Sequence, residues 1–115
     1  MDQKREKAMN LCSFSGYLVD NPKLKKINDV SMTEFTLVVY TYRKTKSTGE
    51  KSRIPTHLKC EAWHTGAETI HKFAQKGSKI HVHASGKNVS KNDSEVIFRI
   101  HEYDFNNPID NEKAQ

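Results

Sequence analysis

The sequence predicts an all-β domain: a small five-stranded barrel with one α-helix between its third and fourth strands. Three observations predict it. Five stretches alternate apolar and polar residues with a period of two, which puts each set on its own face of a strand. Helical spacing appears in one place, between the third and fourth of those stretches. A glycine in the middle of the first stretch, Gly16, supplies the bulge or tight bend that a curled strand needs.

The first strand covers Asn10 to Val19, with Cys12, Phe14, Gly16 and Leu18 on one face and Leu11, Ser13, Ser15, Tyr17 and Val19 on the other. Asp20-Asn21-Pro22 ends it. Lys23 to Ser31 reads as a basic connector with a turn at Asn28-Asp29. Thr33 to Tyr42 is the strongest strand by propensity. Phe35, Leu37 and Val39 are expected inward, with Thr36, Val38, Tyr40 and Tyr42 outward. Residues 43–53 hold five positive charges against Glu50 and no strongly apolar side chain until Ile54. They read as a long exposed hairpin tip, mobile until a ligand supplies counter-charge, with Pro55 closing it.

From Thr56 to Gly86 the pattern is strand, helix, strand without slack. Leu58, Cys60 and Ala62 face a core, and His57, Lys59, Glu61 and Trp63 face the wetter side. Thr65 with Glu68 three residues on is the pattern of a capping box. Ala67, Ile70, Phe73 and Ala74 form the buried stripe, and Gly77 stands where a left-handed C-terminal cap is wanted. The next strand turns Ile80, Val82 and Ala84 inward and Lys79, His81, His83 and Ser85 outward. After a loop over 87–93, Glu95 to Tyr103 is the last strand, with Val96, Phe98 and Ile100 inward and Ile97, Arg99, His101 and Tyr103 outward. Five strands with a helix between the third and fourth is the order of an OB-fold barrel. The domain is expected over residues 10–105, with a charged mobile arm over 1–9 and a short polar tail over 106–115.

A chain of 115 residues has room for one modest core. The apolar fraction of 35% is low, which suits a barrel completed by self-association. The net charge of +5 is uneven. From Glu102 onward four acids face one lysine, so residues 1–101 carry +8. That suits a polyanionic partner, with a merely solvated basic surface as the bland alternative. Cys12 and Cys60 share no metal or redox spacing and fall on inward faces, as free thiols of a reducing compartment do. The first ten residues lack the apolar core of a secretory signal, and no apolar run reaches the ~20 residues of a membrane span. The expectation is a soluble, cytoplasmic protein with no membrane partner, at a bacterial nucleoid or in a phage-infected host.

The residues also resemble a family. S-F-S-G-Y-L-V-D-N-P-K-L at 13–24, F-T-L at 35–37, C-E-A-W at 60–63, A-E at 67–68 and K-G-S-K-I-H-V at 76–82 resemble successive elements of bacterial and phage-type single-stranded DNA-binding proteins. The resemblance implies an OB domain, most often a homotetramer, that binds single strands without sequence preference by stacking bases on outward aromatic residues. Matched by position, Trp63 falls on one stacking site and His57 on a site where the family usually has Trp. Two further aromatic sites fall near Arg43 and Lys91, and Tyr40 and Tyr42 stand close to the first of these. The family's long tail, with an acidic, partner-recruiting end, is expected to be missing, which leaves a phage, plasmid or primosomal relative open.

The residues alone give the same surface. Aromatic faces stack on any base, and neighbouring cations neutralise phosphates. The candidates for DNA binding are Trp63, His57, Lys59, Tyr40, Tyr42, Arg43, Lys44, Lys46, Lys51, Arg53, Lys79, Lys87, Lys91 and Arg99. The bland alternatives are a subunit interface for Trp63 and the tyrosines, and a solvated loop for the hairpin. His81 and His83 share a strand face but fall short of the three or four ligands of a metal site. Neither a nucleophile–base pair nor a phosphate-cradling glycine loop is present, so no catalytic residue, metal or cofactor is expected. The reading is a non-catalytic single-stranded DNA-binding protein of replication, recombination or repair. A primosomal, replication-restart adaptor that contacts replication proteins, and an RNA-binding OB domain, are its alternatives. Outward Leu11, Val19 and Ile97 predict a homo-oligomer, tetramer before dimer.

Overall fold

Seven elements follow one another: β1 (Cys12–Leu18), β2 (Lys23–Ile27), β3 (Val30–Lys44), β4 (Lys51–Trp63), α1 (His64–Phe73), β5 (Lys79–Asn88) and β6 (Val96–Asp104). The structure is a computed structural model that describes residues 8–105. All but the last two residues of the expected arm, and the whole of the expected 106–115 tail, lie outside the described residues. The strands form one sheet in the order β1-β5-β6-β4-β3-β2, and β1 also pairs with β3. That second pairing closes β1, β5, β6, β4 and β3 into a five-stranded OB-fold barrel. The helix lies between β4 and β5, the third and fourth strands of the barrel proper.

The closure has a local cause. β1 runs along β5 from Cys12↔Ala84 to Tyr17↔Lys79 and meets β3 at Tyr17↔Val38 and Leu18↔Leu37. At Gly16 the backbone of β3 comes so close that no side chain fits. The β1–β5 register runs unbroken through Gly16, so the glycine serves a tight approach and not a bulge. The side chain of Asn10 fastens the other end of β1, donating to the Gly86 carbonyl at 2.7 Å and accepting from the Gly86 amide at 2.9 Å.

The interior is apolar. Leu18, Phe35, Leu37, Cys60, Ala62, Ile80, Val82, Ala84 and Ile100 fill the barrel, and Ala67, Ile70 and Ala74 of α1 cover its end. Phe73, expected in that stripe, is exposed instead. Ala67, Ile70 and Ala74 are spaced three and four apart and already form the stripe, and Phe73 falls beside it. The expected capping box is absent. Trp63 occupies the N-cap without a side-chain hydrogen bond to the helix backbone, and the Glu68 carboxylate accepts from the Ser31 hydroxyl at 2.7 Å. Gly77 does not cap the helix, which ends at Phe73. It lies in a turn closed by Ser78 N–H to the Gln75 carbonyl, where its φ of 90° suits a type II turn.

Three strand boundaries differ from expectation. The basic connector contains a strand: β2 pairs with β3 from Lys23↔Glu34 to Ile27↔Val30 around a turn at Asn28 and Asp29, both with positive φ. All five β2 residues are exposed, so the stretch lacks the buried face that periodicity detects. The basic hairpin is also largely strand. β3 and β4 stay paired through Tyr42↔Arg53 and Arg43↔Ser52 to Lys44↔Lys51, leaving only residues 45–50 as a turn. Pro55 lies within β4, opposite Tyr40. In β6 an extra residue at His101 interrupts the ladder with β5, because Ala84 faces Ile100 while His83 faces Glu102. A bulge of this kind reverses the side-chain parity beyond it. Tyr103, expected outward, therefore packs against the core with Phe105. Ile97 is buried and Val96 exposed, opposite to expectation.

Candidate nucleic-acid interface

The β3–β4 ladder runs without a break from Met32↔Trp63 to Lys44↔Lys51. Unbroken pairing keeps side-chain parity constant. One outer face therefore carries Tyr40, Tyr42 and Lys44 from β3 and Lys51, Arg53, His57, Lys59 and Trp63 from β4. The Arg53 guanidinium lies over the Tyr40 ring, 4.1 Å from its centroid. Tyr42 is 71% exposed, with its π-face open to a ligand. Lys59 lies 3.5 Å from the Glu95 carboxylate and helps to line a cleft of about 330 Å³ with Lys23, Thr36 and Ile97.

β6 extends this face. Its parallel pairing sets Arg99 beside Glu61. Glu61 Oε2 accepts from Trp63 Nε1 at 3.0 Å and Arg99 Nε at 2.8 Å, and Lys87 Nζ stands 3.5 Å away. Burial alone would raise the Glu61 pKa. The hydrogen bonds from Trp63 and Arg99, with the charges of Lys87 and Arg99, outweigh it and hold the carboxyl below the usual range. The Arg99 guanidinium also stands 5.5 Å from the centre of the Trp63 ring. Trp63 is thus half-buried and held at its polar edge, with Met32 across from it on β3.

Four of the sequence-predicted residues stand apart. Arg43 pairs with Ser52 and points to the opposite face of the ribbon, one residue out of step with Tyr42 and Lys44. Lys46 belongs to the turn at the ribbon tip. Lys91 lies in the connection between β5 and β6. Lys79 is on β5, where its ammonium stands 5.9 Å from the Tyr17 ring centre. Registers Tyr17↔Lys79, Tyr17↔Val38 and Val38↔His57 link it to the main face only through Tyr17 and Val38. Sequence reasoning missed Glu61, which it placed on the wetter face of its strand and left out of the binding set. Its position two residues from both Lys59 and Trp63 on one strand was the available signal. Tyr17, 41% exposed beside Lys79, was likewise passed over.

His81 and His83 meet edge to face at 5.0 Å, and His81 Nε2 lies 3.3 Å from the Ser13 hydroxyl. Among the described residues no three His, Cys, Asp or Glu side chains are placed to hold a metal ion. None of the described helices is long and apolar enough to cross a membrane.

The profile of the Single-strand binding protein family matches residues 9–98. The chain belongs to this family. Its fold is similar to that of the single-stranded DNA binding protein from Thermus aquaticus, with a TM-score of 0.72 and 18% identity over 86% of this chain and 50% of that one. A deletion mutant of the same Thermus protein gives 0.73 at 19% identity, covering 86% of this chain and 51% of that one. The small single-stranded DNA-binding protein from Streptomyces coelicolor gives 0.69 at 14% identity, covering 89% of this chain and 98% of that one. This chain thus spans about half the length of the Thermus protein and nearly all of the Streptomyces one. Among curated protein sequences none matches significantly.

Proposed function

We propose that this protein is a non-catalytic, sequence-independent single-stranded DNA-binding protein acting in replication, recombination or repair. One observation carries the reading. Aromatic rings and cations alternate along a single unbroken face, from Tyr42 and Arg53 through His57 and Lys59 to Trp63 and Arg99. Rings that stack on any base, interleaved with charges that meet phosphates, suit a strand of any sequence. The family membership and the similar folds support the same conclusion. Residues 10–105 form the binding unit in this reading. Lys79, Lys91, Arg43 and Lys46 contribute at its margins.

The test is fluorescence anisotropy with labelled dT, mixed-sequence DNA, RNA and duplex oligomers of equal length. Equal affinity for the two single-stranded DNAs, with weaker binding of duplex, is the expected result. Preference for RNA would move the function to the RNA-binding alternative, and absence of binding would overturn it. Self-association belongs to the same proposal, with a tetramer preferred over a dimer. Its apolar support is now exposed Leu11, just before β1, and Tyr17 on the outer face of that strand, because Ile97 is covered by its own chain. Light scattering at micromolar concentration decides it, and a monomer would rule it out.

A further inference from the structure

Among the described residues Glu61 is the only buried charged side chain, 5% exposed; it shares its face with rings and cations and stands across from Glu34, which is paired instead with Lys25. A carboxylate withdrawn from water must be fully paired. All three partners of Glu61 converge on one oxygen, Oε2. Departure of Arg99 or Lys87 to a phosphate would leave that buried charge with one partner fewer. Arg99, however, engages Glu61 through Nε, which leaves its two terminal amino groups for a second anion. Arg99 can therefore meet a second anion without giving up Glu61.

We propose that Glu61 is the positioning residue of this face. It fixes the Trp63 ring beside the Arg99 guanidinium, and it makes Glu61, Arg99 and Lys87 act together on a phosphate chain as one positive charge instead of two. The inference rests on the single-strand reading above and adds how that surface is preset. Preorganisation of this kind reduces what a bound strand must order for itself.

Two measurements test it. Trp63 is the only tryptophan, so its indole N–H gives a single side-chain resonance in ¹⁵N–¹H spectra. In the free protein that proton should exchange slowly with water. It should do so in Glu61→Gln, which keeps an oxygen acceptor, and become shifted and fast-exchanging in Glu61→Leu. Binding of dT oligomers across a range of salt gives the charge count. Both variants should steepen the fall of log K against log salt by about 0.7, one further phosphate neutralised. Over a fourfold rise in salt that is an extra loss of affinity of about threefold. Should Glu61→Leu fail to fold, Arg99→Gln reads the same quantity, because it neutralises the triad and should flatten the slope by about 0.7. An unmoved indole resonance in Glu61→Leu would overturn the positioning role, and unchanged slopes would overturn the charge sharing. A wild type that binds no oligomer would instead overturn the single-strand reading, and the indole spectra of the free proteins would then decide this inference alone.

Discussion

Gly16 lies so close to Val38 that a Cβ on it would sit 2.3 Å from the Val38 carbonyl oxygen and 2.9 Å from Cγ1 of Val39. No side chain can occupy that space without pushing β1 off β3. Gly16→Ala should destabilise the fold by about 1–3 kcal/mol, the usual cost of overpacking. Urea denaturation of variant and wild type measures it. Equal midpoints would mean that the two strands can separate locally at no cost.

Trp63 joins the barrel to the face proposed to bind single strands. Trp63→Ala should weaken single-strand binding by about 1–3 kcal/mol, the range for one stacked base. The fold should survive with some loss of thermal stability, because the buried Glu61 carboxylate loses the Trp63 hydrogen bond but keeps Arg99 and Lys87. Wild-type emission should be quenched as poly(dT) saturates the protein. Emission that stays constant at saturation would show that Trp63 does not stack on a base.

The ribbon beyond the barrel gives a charge prediction. Replacing Lys44, Lys46 and Lys51 by Gln should weaken binding to every sequence alike and flatten the salt slope by up to about 2. Lys44 and Lys51 face each other on the binding side of the ribbon, and Lys46 is at its tip. Stability should hardly change, since all three are exposed. Titrations of dT and mixed oligomers over a range of salt make the comparison. An unaltered slope would move the phosphate path to Lys59, Arg99 and Lys87.

Much of this was readable from residue order, and the failures have distinct physical causes. The barrel strands stood out because one face of each is buried, which period-two alternation records. β2 did not, because KLKKI has no buried face and is held by backbone pairing to β3. The ribbon 43–53 was read as loop for the same reason: its cations hide a ladder that depends on register, not on burial. Tyr103 was misplaced by one inserted residue at His101, which leaves no mark in composition. At the site, parity along β4 grouped His57, Lys59 and Trp63 correctly. It did not reveal that Glu61 between them is buried, because that depends on Arg99 and Lys87 arriving from β6 and β5.

Cys60 offers a pH test of core integrity. Burial pushes its thiol up to about 12. In the unfolded chain the thiol ionises near 8.5. Between these values the folded state holds a proton that the unfolded state has lost, so stability must fall as pH rises. The contribution of this group is about 1.4 kcal/mol per pH unit across that window, present in full below it. The stability difference between wild type and Cys60→Ala should shift by that amount per unit from pH 9 to 11. At pH 8 a thiol reagent should modify the partly exposed Cys12 before Cys60. Rapid modification of both in the native protein would contradict the buried placement.

Two short seams close the barrel, Tyr17↔Val38 with Leu18↔Leu37 between β1 and β3, and Cys60↔Phe98 with Glu61↔Arg99 between β4 and β6, whereas β3 and β4 are joined along thirteen pairs. Mechanically the barrel is two ribbons fastened by two short latches. Local opening should begin at these latches before the long ladder parts. The stretch from Tyr42 to Trp63 lies on that ladder and keeps its own spacing when a latch opens, while Arg99 reaches it only across the β4–β6 latch. The give thus falls between the ladder and the strands that carry Gly16 and Arg99.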